Sequence, residues 1–450
     1  MQHIQGISRH QLQMSSLEDK ITADNPVRFI DAFVNHIDAV KIGFQPKILK
    51  TEGRPNFRLE VFLKLYLYGY LNGVRSSRRL EKECFRNIEV QWLLEAIYPN
   101  YHSIADFRKD NPKALKQLFK LFVSFLKDAE LIAGDTIAID GTKSRAHNSK
   151  KANYNQKKID KHKAYIDAKS QEYLDQLEQN DIQENPVAIK NIQQKIERLK
   201  QNKIKYELLE EELKNSGEPQ ISTTDADARA LLVQGQVVEV SYNIQAAVDS
   251  KHNLVVATHT INRNDKNALA AIALEVKENL ALETFTVLVD KGYHNGRELH
   301  TCKQNNITTI VAVPEQGKSN ENGTQPEYLV SKFIYNKENN SYTCPEGKTL
   351  TTTGSWHKKT GRTEESGYNF QKYRTPACKT CLVKDLCTSR NGGREIDRSQ
   401  YADAVEENHQ RYKDNPQLYR KRQEINEHIF GTIKRKWGYN YTDLVGLEKV

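Results

Sequence analysis

Two short apolar, largely β-branched runs each hand an aspartate to a turn, and this pair limits what the chain can fold into. The first is Thr136-Ile-Ala-Ile139, which ends in Asp140-Gly141. The second is Phe285-Thr-Val-Leu-Val289, which ends in Asp290-Lys-Gly292. Such runs suit buried strands, and glycine lets the chain turn at once behind each carboxylate. Open α/β sheets place their chemistry at strand tips of this kind. One Asp-Gly after a strand is more often a plain turn. Its weight here comes from the second run and from a third stretch.

That third stretch, Tyr419 to Trp437, reads as a basic helix with Glu427 set beside the apolar positions Ile429, Phe430 and Ile433. Asp140, Asp290 and Glu427 are remote in sequence, so only a fold could gather them. Without a cation they would repel: a pair of carboxylates about 4 Å apart costs on the order of 4 kcal/mol at an effective dielectric of about 20. A divalent metal that prefers oxygen, Mg²⁺ or Mn²⁺, is the simplest counterweight.

Taken together, Ile139-Asp-Gly-Thr142, Val289-Asp-Lys-Gly-Tyr293 and Glu427-His-Ile-Phe-Gly-Thr-Ile-Lys434 resemble bacterial insertion-sequence transposases of the DDE type. The likeness covers nearly the whole chain. It implies an α/β fold, with a ribonuclease-H-like mixed-sheet core, an N-terminal all-α domain, a helical-hairpin insertion and a β-rich cysteine-containing insertion. It also implies that Asp140, Asp290 and Glu427 form the catalytic, metal-binding triad. Many members carry a Tyr-x2-Arg-x3-Glu-x6-Lys signature. Here Tyr419-x2-Arg422 and Glu427-x6-Lys434 fit, but four residues separate Arg422 from Glu427, and Gln423 stands in the arginine slot.

Charge supports a polyanionic partner. Lys+Arg number 67 against 58 Asp+Glu, so 67 − 58 gives +9. The excess is concentrated: Lys143 to Lys163 holds eight Lys/Arg against Asp160 alone, and Arg411 to Trp437 holds eight against three acids. These runs follow Asp140 and surround Glu427, which places positive potential where a phosphodiester would be cut. The candidate DNA contacts are Lys143, Arg145, Arg422 and Lys434, with Arg75, Arg78 and Arg79 in the helical N-terminal region. Hydrophobic residues make up 38% of the chain. No apolar run reaches the roughly 18–20 residues of a membrane span. Met1-Gln-His-Ile-Gln-Gly6 lacks a signal-peptide pattern, and six cysteines do not make a secreted disulfide framework. A cytoplasmic, nucleoid-associated protein without a membrane partner is the expectation.

Along the chain, residues 1–131 read as the helical domain, a candidate for binding element ends. Asn25-Pro26 and Asn111-Pro112 open helices, Ser76 or Ser77 caps another, and Ser103-Ile-Ala-Asp106 has the form of a capping box. Residues 132–314 read as the first part of the core. Its hairpin insertion, 149–218, shows Ile159, Ile166 and Tyr173 seven apart, then Ile189, Ile192, Ile196, Leu199 and Tyr206 after a break at Asn185-Pro186. Strands are expected at 236–240, 242–249, 254–261, 285–289 and 308–314, with helices at 266–280 and from about Gly296.

Residues 315–400 read as the β-rich insertion and 401–450 as the C-terminal helical part of the core. Cys344, Cys378, Cys381 and Cys387 offer Cys-x2-Cys plus two more thiols, the donor set of a structural Zn²⁺ site, although the x33 and x5 gaps are looser than in standard ribbons. Reduced thiols in a β-rich insertion are the plainer alternative. Trp356 and Tyr368 are candidate base-stacking residues. His294 and His428 lie near carboxylates but read more simply as ordinary hydrogen-bonding histidines. Asp225, Asp227 and Asp249 suit turn or capping roles, and Cys84 and Cys302 suit the core.

The expected activity is metal-dependent cleavage at element ends and strand transfer into target double-stranded DNA. Two ions about 3.5–4 Å apart would be shared among the three acids. Resemblance also implies a homodimer on paired ends. The alternatives are a silent or truncated transposase-derived DNA-binding protein, and a ribonuclease-H-like nuclease that cuts without joining. Related chains usually continue by one more helix beyond Val450, so a truncated copy is also an expectation.

Overall fold

The computed structural model describes residues 7–12, 14–45, 55–147, 150–182, 186–234, 237–314, 324–361 and 367–450. Six helices come first: α1 (Pro26–His36), α2 (Leu59–Leu71), α3 (Ser77–Arg86), α4 (Ile88–Leu93), α5 (Tyr101–Asp110) and α6 (Pro112–Asp128). There follow β1 (Thr136–Arg145), β2 (Asn153–Tyr154), α7 (Gln156–Ile182), α8 (Pro186–Ser216) and β3 (Ile221–Ser222). Next come β4 (Arg229–Gln234), β5 (Val237–Asp249), β6 (Leu254–Ile261), α9 (Leu269–Asn279), β7 (Phe285–Val289), α10 (Gly296–Gln304) and β8 (Ile307–Val311). The rest comprises β9 (Ile334–Asn336), β10 (Ser341–Thr343), β11 (Thr349–Thr351), β12 (Trp356–Lys359), β13 (Tyr368–Tyr373), α11 (Lys384–Cys387), β14 (Ile396–Ser399), α12 (Ala402–Asp414) and α13 (Pro416–Gly431).

The chain divides into two compact units, 1–128 with 144–242 and 432–450, and 129–143 with 243–431. In the first, α1 to α6 close around Leu63, Leu65, Leu80, Val90, Leu93 and Ile104. Asn25 caps α1 by accepting from the Val27 N–H at 3.0 Å, and Pro26 costs nothing at the first helical position. Two capping expectations are corrected. Asn100, not Ser103, caps α5, and its side chain accepts from the Ser103 N–H at 2.9 Å. Ser76 occupies the cap position of α3 without a side-chain bond. Helices α7 and α8 form the expected hairpin, whose base packs Ile159, Leu209 and Leu213 on Tyr154 and Ile221. Asn148, Ser149 and Asn185 lie outside the described residues.

The C-terminal residues fasten onto this unit. Asp225 accepts from the Tyr242 hydroxyl at 2.7 Å, and Asp227 accepts from the Leu447 N–H at 2.8 Å. Turn or capping roles were expected of these acids; instead each makes a long-range bond within this unit.

The second unit is built on a mixed sheet in the order β6-β5-β1-β7-β8. The expected strands at 236–240 and 242–249 are one strand, β5, whose first half pairs with β4; Gln236 lies outside the described residues. Strands β5 and β6 are antiparallel, whereas β1, β7 and β8 run parallel. Ala138, Val248, Leu288 and Ile310 bury the centre of the sheet against Ile425 of α13. Helix α12 closes the β8 edge. The buried Asn408 amide donates to the Val311 carbonyl at 3.0 Å and accepts from its N–H at 2.9 Å, while Arg411 donates to the Thr309 carbonyl at 2.9 Å. These bonds fix α12, and α13 follows it across the sheet.

The insertion within this unit carries two three-stranded sheets, β11-β10-β9 and β12-β13-β14. Its core is small: Phe333, Tyr342, Leu350, Tyr373 and Ile396. No helix among the described residues is long and apolar enough to cross a membrane.

Candidate active site

Parallel pairing fixes the first relationship. Thr136, Ile137 and Ala138 stand opposite Thr286, Val287 and Leu288, so the same register sets Asp140 level with Asp290, one residue past the end of β7. Both runs are apolar because both strands are central and covered; the turn expected at Asp140-Gly141 is corrected, since β1 runs on past them to Arg145, whereas β7 does end just before Asp290.

Around Asp140 the structure gathers a third acid that sequence reasoning missed. Asp265 follows β6, and its Oδ1 accepts from Asn243 Nδ2 at 2.7 Å and Gln245 Nε2 at 3.0 Å. Its Oδ2 faces Lys143 Nζ at 3.2 Å. Asn243 and Gln245 are fully buried residues of β5. The only signal in the sequence was the odd polarity of alternate positions in an otherwise apolar strand. Tyr293, also buried, donates its hydroxyl to Gln245 Oε1.

Two glycines let these groups close in. A Cβ on Gly141 would lie 2.4 Å from Gln245 Nε2, 2.5 Å from Asp265 Oδ1 and 2.8 Å from Asn243 Oδ1. One on Gly292 would lie 2.9 Å from Asp290 Oδ1 and 3.8 Å from Asp265 Oδ2. Asp265 and Asp290 therefore flank a single small space.

Electrostatics separate these acids. Burial raises the Asp140 pKa, and the Asp290 and Asp265 charges add to the rise against the Gly141 N–H and Arg422. Asp265 goes the other way. Burial opposes its ionisation, but the Asn243 and Gln245 amides and the Lys143 ammonium overcome that and lower its pKa. Tyr293 is held well above the ordinary phenol range by burial and by the charges of Asp265, Asp140 and Asp290.

Arg422 supplies the nearest cation, with Nη1 3.3 Å from Asp140 Oδ2. Its guanidinium also lies 5.8 Å from the Tyr419 ring centroid. Glu427 lies on the same helix, α13, five residues after Arg422. It is exposed and lies two residues, about 200° of helix rotation, beyond the buried Ile425. Among the described residues, no group of three or more His, Cys, Asp or Glu is arranged to hold a metal ion. Beside Glu427, the Asn426 amide is buried with neither its oxygen nor its nitrogen bonded.

The other expected contacts divide. Lys143 is committed to Asp265 and only 17% exposed, whereas Arg145 pairs with Glu239 and stays 60% exposed. Lys434 lies in the π-helical turn Thr432–Lys436. The expected phosphate role of Arg75 is corrected. Its guanidinium donates to the Gly438 and Tyr441 carbonyls at 2.8 and 3.0 Å, reaches Asp443 at 3.2 Å, and lies over the Tyr439 and Tyr441 rings. That leaves it holding the C-terminal segment. Arg78 and Arg79 are exposed, with Arg78 over the Tyr101 ring.

Trp356 is exposed at the start of β12, and Tyr368 pairs with Lys359 across it. His294 is half-buried, and burial lowers its pKa; His428 is exposed. Cys84 and Cys302 are core thiols, both pushed up to about 12 by burial.

Comparison with known proteins adds two matches. A family model described as a transposase domain matches residues 15–110, the stretch that contains α1 to α5. A second, described as a transposase DDE domain, matches residues 343–450, from the cysteine insertion through α13 to the C-terminus. No curated protein and no solved structure matches the chain.

Proposed function

The chain is an insertion-sequence transposase of the DDE type, and from that premise we propose that it cleaves DNA at element ends and joins the freed strand to target DNA. One observation carries the reading: Asp140 on β1 stands level with Asp290, just past the adjacent parallel strand β7, next to the partly buried, cation-lined Asp265. The sheet order β6-β5-β1-β7-β8 supports a ribonuclease-H-like core.

Asp140 and Asp290 fit a hard divalent ion, since both offer only carboxylate oxygens and Asp140 is burdened by two neighbouring acids. They would hold Mg²⁺ or Mn²⁺, with Glu427 as the third ligand of the family pattern. When bound, such an ion supplies an activated nucleophile and charge stabilisation at phosphorus. The chain's own residues set the stage. Asn243 and Gln245 fix Asp265, and Asp265 fixes Lys143 three residues after Asp140, where its ammonium can meet a phosphate oxygen. Arg422 neutralises Asp140 in the DNA-free protein. Arg78, Arg79, Arg145 and Lys434 are assigned separately to phosphates of the DNA backbone.

The test uses the full chain and duplex DNA taken from the borders of its own element, with Mg²⁺ or Mn²⁺. Asp140→Asn and Asp290→Asn should each abolish strand cleavage while the DNA is still bound. Cleavage that persists in either variant refutes the assignment. Cleavage without joining would make the chain a nuclease, and binding without either reaction would make it a silent copy.

A further inference from the structure

The β-rich insertion needs something its core does not supply. Its strands are three to six residues long, and its cluster of buried apolar residues has five members. A core of that size rarely stabilises a fold alone, and small domains are commonly held by disulfides or a metal. Its four cysteines are all free.

These cysteines converge from three segments. Cys344 follows β10, Cys378 lies within a 3₁₀ turn that Cys381 ends, and Cys387 ends α11. All four line one cavity, together with Phe333 and Leu350 from the apolar cluster. Cys344-Pro-Glu-Gly-Lys348 folds into a tight loop. The Gly347 N–H donates to the Cys344 carbonyl at 2.9 Å, and the Lys348 N–H donates to Cys344 Sγ at 3.3 Å. Gly393, with φ at +89°, presses against Cys378: a Cβ there would lie 2.3 Å from Cys378 Cβ.

We propose that Cys344, Cys378, Cys381 and Cys387 bind one structural Zn²⁺ that closes the insertion around its cavity. Four sulfurs with no carboxylate or imidazole in the set select zinc over the hard ions suited to Asp140 and Asp290. Each thiol gives up its proton as its sulfur binds. The sulfurs line the cavity without being drawn to a point, since no three such donors among the described residues are arranged for an ion. Binding therefore pulls the Cys344 loop and the Cys378–Cys387 segment together. That movement separates a metal clasp from four idle thiols.

The experiment is metal analysis of the full chain purified under reducing conditions without added chelator. One zinc per chain is expected, released when all four thiols are alkylated. Cobalt supplied in its place should give the visible absorption of a tetrahedral thiolate site. Cys378→Ser with Cys381→Ser should lose the metal, whereas Cys84→Ser with Cys302→Ser should retain it. Zinc removal should expose the 324–400 segment to protease. A chain that holds no zinc and gives no tetrahedral cobalt spectrum overturns the proposal, as does retention of the metal by the Cys378/Cys381 variant. The metal content of the unaltered chain decides the matter even if a variant fails to fold. It is also independent of whether the chain cleaves DNA.

Discussion

Arg422 Nη1 stands 3.3 Å from Asp140 Oδ2, joining the middle of α13 to the middle of β1. Asp140 is the acid that burial and two neighbouring carboxylates make hardest to ionise, and this guanidinium is the charge that offsets them. The two residues should therefore respond oppositely to mutation. Asp140→Asn removes repulsion from the cluster, so thermal unfolding should shift upward while cleavage is lost. Arg422→Ala strands a half-buried carboxylate and should cost about 3 kcal/mol of stability. Paired thermal melts and cleavage assays check both. A destabilised Asp140→Asn protein would mean that the carboxylate is not under strain.

Gly141 bears on the same cluster from the backbone side. An alanine there would drive its methyl group into the Gln245 amide, the Asp265 carboxylate and the Asn243 amide at 2.4 to 2.8 Å. Two of these groups are fully buried and cannot swing aside. Gly141→Ala should lower stability by about 1–3 kcal/mol, read as a fall in the denaturant midpoint. Gly347→Ala meets no neighbour, though its φ of +72° makes some strain there unavoidable.

The three arginines of the α3 region should separate in DNA binding. Arg75→Ala removes bonds to three C-terminal groups and should lower the melting temperature with no change in the salt dependence of binding. Arg78→Ala and Arg79→Ala should leave the melting temperature unchanged. Each should flatten the plot of log affinity against log salt by about one unit. Titrations at several salt concentrations provide the measurement, and an unaltered slope for both would move the DNA elsewhere.

Acid should loosen the cysteine insertion before the rest. Burial works against ionisation of Glu395, but Arg390, Lys372 and Arg374 outweigh it and hold the pKa at about 2. The folded value lies below the unfolded value of about 4.3. Its stabilisation is therefore complete above that pH and fades as pH falls toward 2. Trp356 lies in the same sheet system, so a variant that keeps only this tryptophan should report the loss through its fluorescence. Glu395→Gln should flatten that dependence over the same interval.

Much of the architecture was legible because burial writes itself into alternation and length. The runs ending at Asp140 and Asp290 are apolar on both faces, as central strands must be, and their register brought those acids level. Asp265 was not legible. It sits in a polar stretch after β6, and its importance comes from Asn243 and Gln245, whose amides meet it only once β5 lies beside β1. Arg75 was misread for a related reason. A basic helix start looks alike whether its charge faces phosphate or a folded-back carbonyl, and the partners at Gly438 and Tyr441 are over 360 residues away. Ser103 shows the local version, where an asparagine one turn earlier took the cap.

The clasp that Asn408 and Arg411 make on β8 has a consequence for self-association. An outermost strand normally presents a ladder of open amides to which another polypeptide can zip. Here the Val311 N–H and carbonyl and the Thr309 carbonyl are already bonded to α12. This margin is therefore guarded against runaway β-stacking at high concentration.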